Sequence, residues 1–198
     1  MIQRLSMFCA RKMLPFCNPK MQNESVLIFG CELIITSIIG FLILIGLSFV
    51  VGFPLAWLFF VIGFAPHRTT AGGYHADTHL WCNVVTSSML LLSIAVSYCV
   101  KWNSYSYIVI SLFSAFLVLL LAPVTASNKP LSFKRYRRNR IRAIIVASIN
   151  CCIAVTFTVL SIVCEEANLY FSGVFFAAAS LIMGKIKTNK KGEKSNEN

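Results

Sequence analysis

His75 and Cys82 stand seven residues apart in the run Ala71-Gly72-Gly73-Tyr74-His75-Ala76-Asp77-Thr78-His79-Leu80-Trp81-Cys82, a polar island between two long apolar stretches. A thiol and an imidazole together are equipped for nucleophilic attack on a carbonyl: the imidazole takes the thiol proton and the thiolate adds to carbon. In lipid each buried polar group needs a partner or a task, so an island this polar marks a place for chemistry.

The island must also be shaped. In one straight helix His75 and Cys82 would lie about 10 Å apart along the axis, too far for proton transfer, so a turn or kink has to close the gap. Asp77 or Thr78 is suited to cap a helix that begins just before Cys82, which places the sulfur near the positive helix end that favours an anion. Gly72 and Gly73 suit unusual backbone angles and close approach of another chain. Backbone N–H groups near these glycines or at the helix start are candidates to hold an oxyanion. Asp77 is either an orienting partner of His75 or simply the cap. His79, three residues before Cys82, shares its helical face and competes with His75 for the role of base.

A zinc site is the alternative chemistry. His75-x3-His79-x2-Cys82 offers acceptable ligand types, and His67 would complete four. The pattern is not His-Glu-x-x-His, however, and no Glu lies nearby in sequence to act as base. His67, beside Pro66, reads as an interfacial residue.

Composition identifies the medium in which this chemistry must sit. With 57% apolar and 13% charged residues and a mean hydropathy of +0.74, the chain is an all-α integral membrane protein. The first apolar run is too long for a cleavable leader, and no signal peptide is expected. Six spans are read at Val26–Val50, Gly52–Pro66, Cys82–Val100, Tyr105–Val124, Ala143–Val163 and Ala167–Met183. Gly52-Phe53-Pro54 supplies the first turn, and the second span is short. An even number of spans puts 17 of the 18 Lys and Arg on one side, leaving Lys101 with Glu165 and Glu166 on the other. By the positive-inside rule that basic side is cytoplasmic, so both termini and the His75/Cys82 island face the cytoplasm in a multi-pass protein of the cell membrane.

The chain divides into an amphipathic N-terminal segment (1–25), a six-helix transmembrane domain (26–184) and a disordered cytoplasmic tail (185–198). Residues Ile2 to Leu14 read as an interfacial helix, either a dock for a partner or an anchor on anionic lipid. Phe133 to Arg142 holds six basic residues in ten positions. Topology and anionic headgroups account for such a cluster, while Lys134, Arg135, Arg137 and Arg138, with Arg68, are candidates to bind an acidic substrate segment. Nucleic-acid binding is not expected, because the cluster abuts a membrane and no folded reader accompanies it. Most of the eight cysteines lie in apolar spans or on the reducing side, so no disulfide framework is expected.

The stretch Arg68-x-x-Ala71-Gly72-Gly73-Tyr74-His75-Ala76 with downstream Cys82 resembles the accessory gene regulator protein B (AgrB-like) family, membrane cysteine endopeptidases of Gram-positive quorum sensing. Length, span layout and the Ala122-Pro123-x4-Asn128-Lys129-Pro130-Leu131 segment before a basic loop are similar too. The resemblance implies cleavage of a small AgrD-like propeptide by a His75/Cys82 pair, with no metal or cofactor. It also implies resolution of the acyl-enzyme by a thiol or hydroxyl of the same peptide, giving a thiolactone or lactone. A homodimer is compatible with the sequence. The reading from another class is a six-span transporter with the island as gate or ion site, although no second copy of the Gly-Gly-x-His segment accompanies it.

Overall fold

Long apolar runs punctuated by Gly, Pro, Asn and Ser leave the backbone one way to satisfy itself in lipid, the α-helix. A computed structural model of the chain describes residues 2–16, 24–74, 78–124 and 132–196. Its helices are α1 (Ile2–Met13), α2 (Glu24–Val50), α3 (Ala56–Ala71), α4 (His79–Cys99), α5 (Ser104–Leu121), α6 (Phe133–Val159) and α7 (Glu165–Asn196). Five of them, α2 and α4 to α7, are long and apolar enough to cross a membrane.

The expected count of six therefore stands at five plus one short helix. α3 has 16 residues, about 24 Å, which is less than a hydrocarbon core of about 30 Å. It also does not stop at Pro66. The proline lies inside the helix, which runs on to Ala71. A helix in lipid tolerates proline, and beyond it the Thr69 and Thr70 hydroxyls donate back within the same helix to the Ala65 and Pro66 carbonyls at 2.9 and 2.7 Å. The residues after the proline, His67, Arg68 and Ala71, are held by partners on α5, α6 and α7.

Two other boundaries differ from the expected ones. α6 begins at Phe133 rather than Ala143, so the basic cluster forms its first turns instead of a loop. Arg and Lys are good helix formers, and charge alone says nothing against a helix. α7 continues past Met183 as far as Asn196, through most of the stretch read as a disordered tail. Once the buried half of α7 is nucleated, a Lys- and Glu-containing extension adds one hydrogen bond per residue.

α3 and α7 form the centre. Gly63 abuts the Tyr170 carbonyl and the Val174 nitrogen, and Gly73 abuts Ser180, so the two helices run in the same direction. The absence of side chains at Gly63 and Gly173 lets the backbones approach, as in other membrane helix pairs. Around this pair, Leu44 of α2, Phe60 and Phe64 of α3, Met89 and Leu90 of α4 and Leu169 of α7 form one cluster. A second joins Ala71, Val118, Val124, Ala143, Ala147 and Leu181. α1 packs on α2, and Arg11 Nε reaches Glu24 Oε1 at 3.5 Å.

Candidate functional site

The chain between α3 and α4 is anchored before it reaches the island. Gly72, at φ +81°, forms an isolated parallel bridge with Val124, and the Val124 N–H donates to the Ala71 carbonyl at 2.9 Å. Gly73, at φ +135°, lies against Ser180 and Gly184 of α7. The Tyr74 N–H donates to the Ser180 carbonyl at 2.9 Å. The close approach expected of the glycine pair is thus made against the end of α5 and the middle of α7. Side chains at either position would collide with backbone or with Ser180, and the positive φ angles suit glycine alone.

On the far side of the connection Thr78 caps α4. Its backbone is extended, its side-chain oxygen accepts from the Trp81 N–H at 3.3 Å, and its carbonyl accepts from the Cys82 N–H at 3.2 Å. Of the two expected caps, Thr78 takes the role. No straight helix joins residues 75 and 82, because residues 72–74 are non-helical and α4 opens only at His79. Cys82 is half-buried in the first turns, and its carbonyl accepts from Thr86 Oγ1 at 2.9 Å.

Arg68 ties the two halves together. From the end of α3 its guanidinium donates to the Tyr74 carbonyl and to Ser180 Oγ, the latter at 3.4 Å. Arg68 and the Cys82 side chain line the same small cavity. The cation is therefore positioned to pair with the sulfur when that sulfur is anionic. Phe64, Arg68, Tyr74, Cys82, Thr86 and Met89 line one small cavity. A wider groove of about 250 Å³ opens beside it between α2, α3 and α4, lined among others by Gly40, Phe41, Phe64, Arg68, Cys82 and Asn83.

His75 and Asp77 lie outside the described residues, and His79 is the first residue of α4. Tyr74, the residue before His75, lines the same cavity as Cys82. Lys134, Arg135, Arg137 and Arg138 are exposed on the first turns of α6. Lys187 of α7 stacks over the Tyr74 ring at 5.0 Å.

His67 corrects an expectation. It is buried, 1% exposed, rather than interfacial. Its Nε2 contacts the Asn150 side-chain amide of α6, whose carbonyl oxygen accepts from the Tyr170 hydroxyl of α7. His67 is not among the residues lining the two cavities that Cys82 lines. Asn150 and Tyr170 escaped notice in the sequence, although an Asn in the middle of an apolar span is costly in lipid without a partner and was the available signal.

A model of the family described as "Accessory gene regulator B" matches residues 11–184. An AgrB-like protein of Clostridium perfringens strain 13 is 25% identical over 148 residues, 70% of this chain and 68% of the relative. A second, from strain SM101 of that species, is 24% identical over the same lengths. Accessory gene regulator protein B of Staphylococcus intermedius is 25% identical over 119 residues, 59% of this chain and 62% of the relative. No solved structure matches the chain. A family match that spans both sides of the Arg68/Cys82 site and nearly the whole bundle means that this multi-pass membrane protein belongs to the accessory gene regulator B family, with a role in quorum-sensing peptide processing.

Proposed function

We propose that the protein is a membrane cysteine endopeptidase that removes the C-terminal part of a small AgrD-like propeptide. The observation that carries this reading is the position of Cys82: at the capped start of α4, beside Arg68, in a cavity shared with Tyr74 immediately before His75. His75 takes the Cys82 proton, and the thiolate adds to the scissile carbonyl. The tetrahedral intermediate then collapses, breaking the C–N bond, and His75 returns a proton to the leaving amine. The product is a thioester between the propeptide and Cys82. A thiol or hydroxyl of the same peptide displaces Cys82 and closes a thiolactone or lactone, and the thiol route exchanges like bonds without an energy source.

Asp77 orients His75 or serves only the local backbone. Lys134, Arg135, Arg137 and Arg138 offer a cationic surface for an acidic C-terminal tail of the propeptide and for anionic lipid. Both termini and the site face the cytoplasm in this reading, α3 counts as the short sixth crossing, and α1 lies along the interface.

Co-expression with the small propeptide, followed by mass spectrometry of cell extract and medium, tests the proposal. The expected result is a released C-terminal fragment and a cyclic product lighter than its linear form by one water. Both are lost in Cys82→Ala. An unprocessed propeptide beside the intact protein refutes it.

A further inference from the structure

The addition of a thiolate to a carbonyl puts negative charge on oxygen, and a peptidase must supply donors where that charge develops. A helix-borne cysteine often uses its own N–H for this. Here the Cys82 N–H is bonded to the Thr78 carbonyl at 3.2 Å and the Trp81 N–H to the Thr78 hydroxyl at 3.3 Å. The Tyr74 N–H is held by Ser180. The Arg68 end nitrogens donate to Ser180 Oγ and the Tyr74 carbonyl. A side-chain donor that lines the groove can supply what these engaged groups do not.

Asn83 meets that requirement. It follows Cys82 directly and lines the same 250 Å³ groove. Among the described residues its side-chain amide has no hydrogen-bond partner, whereas Ser37, Thr69 and Thr86 in that groove all donate to helix carbonyls. Asn83 is half-buried, and its amide shares the groove with Phe41, Leu44, Val61 and Phe64. α2 also makes room for it. A Cβ at Gly40 would sit 2.9 Å from Asn83 Oδ1, so any larger residue there would make the amide shift from its place against α2.

We infer that the Asn83 side-chain N–H donates to the oxyanion formed when Cys82 attacks a carbonyl in the groove between α2, α3 and α4. This deepens the peptidase reading and rests on it. The amide oxygen lies nearer to Gly40 than the nitrogen does, and the donor role requires the NH₂ to face the groove. As the C–S bond forms, the carbonyl π pair moves onto oxygen and is met by the Asn83 N–H. When the pair returns, the leaving group departs and Asn83 is unchanged.

The test needs no propeptide. p-Nitrophenyl acetate acylates a thiolate through a tetrahedral oxyanion, while iodoacetamide alkylates the same sulfur at a saturated carbon with no oxyanion. With the full-length protein in detergent micelles, the Cys82-dependent burst of nitrophenolate and the Cys82 alkylation rate are measured side by side. Asn83→Ala and Asn83→Leu should slow the burst by on the order of a hundredfold, the usual effect of removing one oxyanion donor, and leave alkylation unchanged. Gly40→Ala, which displaces the amide without removing it, should slow the burst to a lesser degree and also spare alkylation. A burst as fast as the wild type in the Asn83 variants overturns the inference, as does a burst that falls only in step with alkylation. A burst that persists in Cys82→Ala overturns the peptidase reading and the inference with it. If Asn83 behaves as expected but the propeptide is not cleaved, the donor assignment stands and the peptidase reading alone fails.

Discussion

Gly73, in the connection that leads to His75, and Gly184, in α7, meet backbone to backbone: a Cβ on Gly184 would fall 2.5 Å from the Gly73 carbonyl carbon. The site connection is thus seated on the half of α7 that lies beyond Ser180. The sequence offered no pairing between these two glycines, which are over a hundred residues apart.

Gly184→Ala should consequently be harmful. Helix propensity alone would favour alanine by about 1 kcal/mol, but overpacking against unyielding backbone costs about 1–3 kcal/mol. The net expectation is a lower Tm and slower propeptide cleavage. Gly30→Ala and Gly46→Ala in α2, where nothing lies within 4 Å of the new methyl, should be neutral or stabilising. Equal Tm changes in all three variants would contradict the contact.

The buried group of His67, Asn150 and Tyr170 predicts a graded loss of stability. Asn150→Leu leaves the His67 imidazole buried without its partner and should cost about 1–3 kcal/mol, while Tyr170→Phe removes one hydroxyl and should cost about 0.5–1.5 kcal/mol. Thermal unfolding in detergent measures both. The idea is sunk if Asn150→Leu unfolds no earlier than the wild type.

The assignment of the base can be decided by kinetics. His75→Ala should slow cleavage by on the order of a hundredfold or more, the range for lost acid/base catalysis, while His79→Gln should cost less than about tenfold. Chelators should leave the rate of the wild-type protein unchanged. A larger effect at His79 than at His75 would transfer the role, and stoichiometric zinc lost together with activity would favour the metal alternative.

Topology is tested by a variant whose only cysteine is Cys82. A membrane-impermeant maleimide should label it in inverted vesicles and not in intact cells. Labelling in intact cells would reverse the orientation inferred from charge.

Much of the protein was legible in the chain itself because its determinants are local. The long apolar runs dictated helices in lipid, Asp77 and Thr78 marked a cap before Cys82 that the structure gives to Thr78, and Arg68 through Cys82 carried the family resemblance that the match over residues 11–184 bears out. Local signals failed where a distant partner decides. Pro66 read as a terminus, yet α3 continues because His67 and Arg68 find Asn150 and Ser180, 83 and 112 residues away. The start of α6 and the length of α7 were missed for a related reason: charge marks solvent, not the end of a helix. Which groups surround Cys82 was likewise beyond the sequence. Only packing brings Arg68 and Cys82 to one cavity and leaves room at Gly40 for Asn83, since one-dimensional spacing fixes the face a residue occupies on its own helix and not the helix it meets.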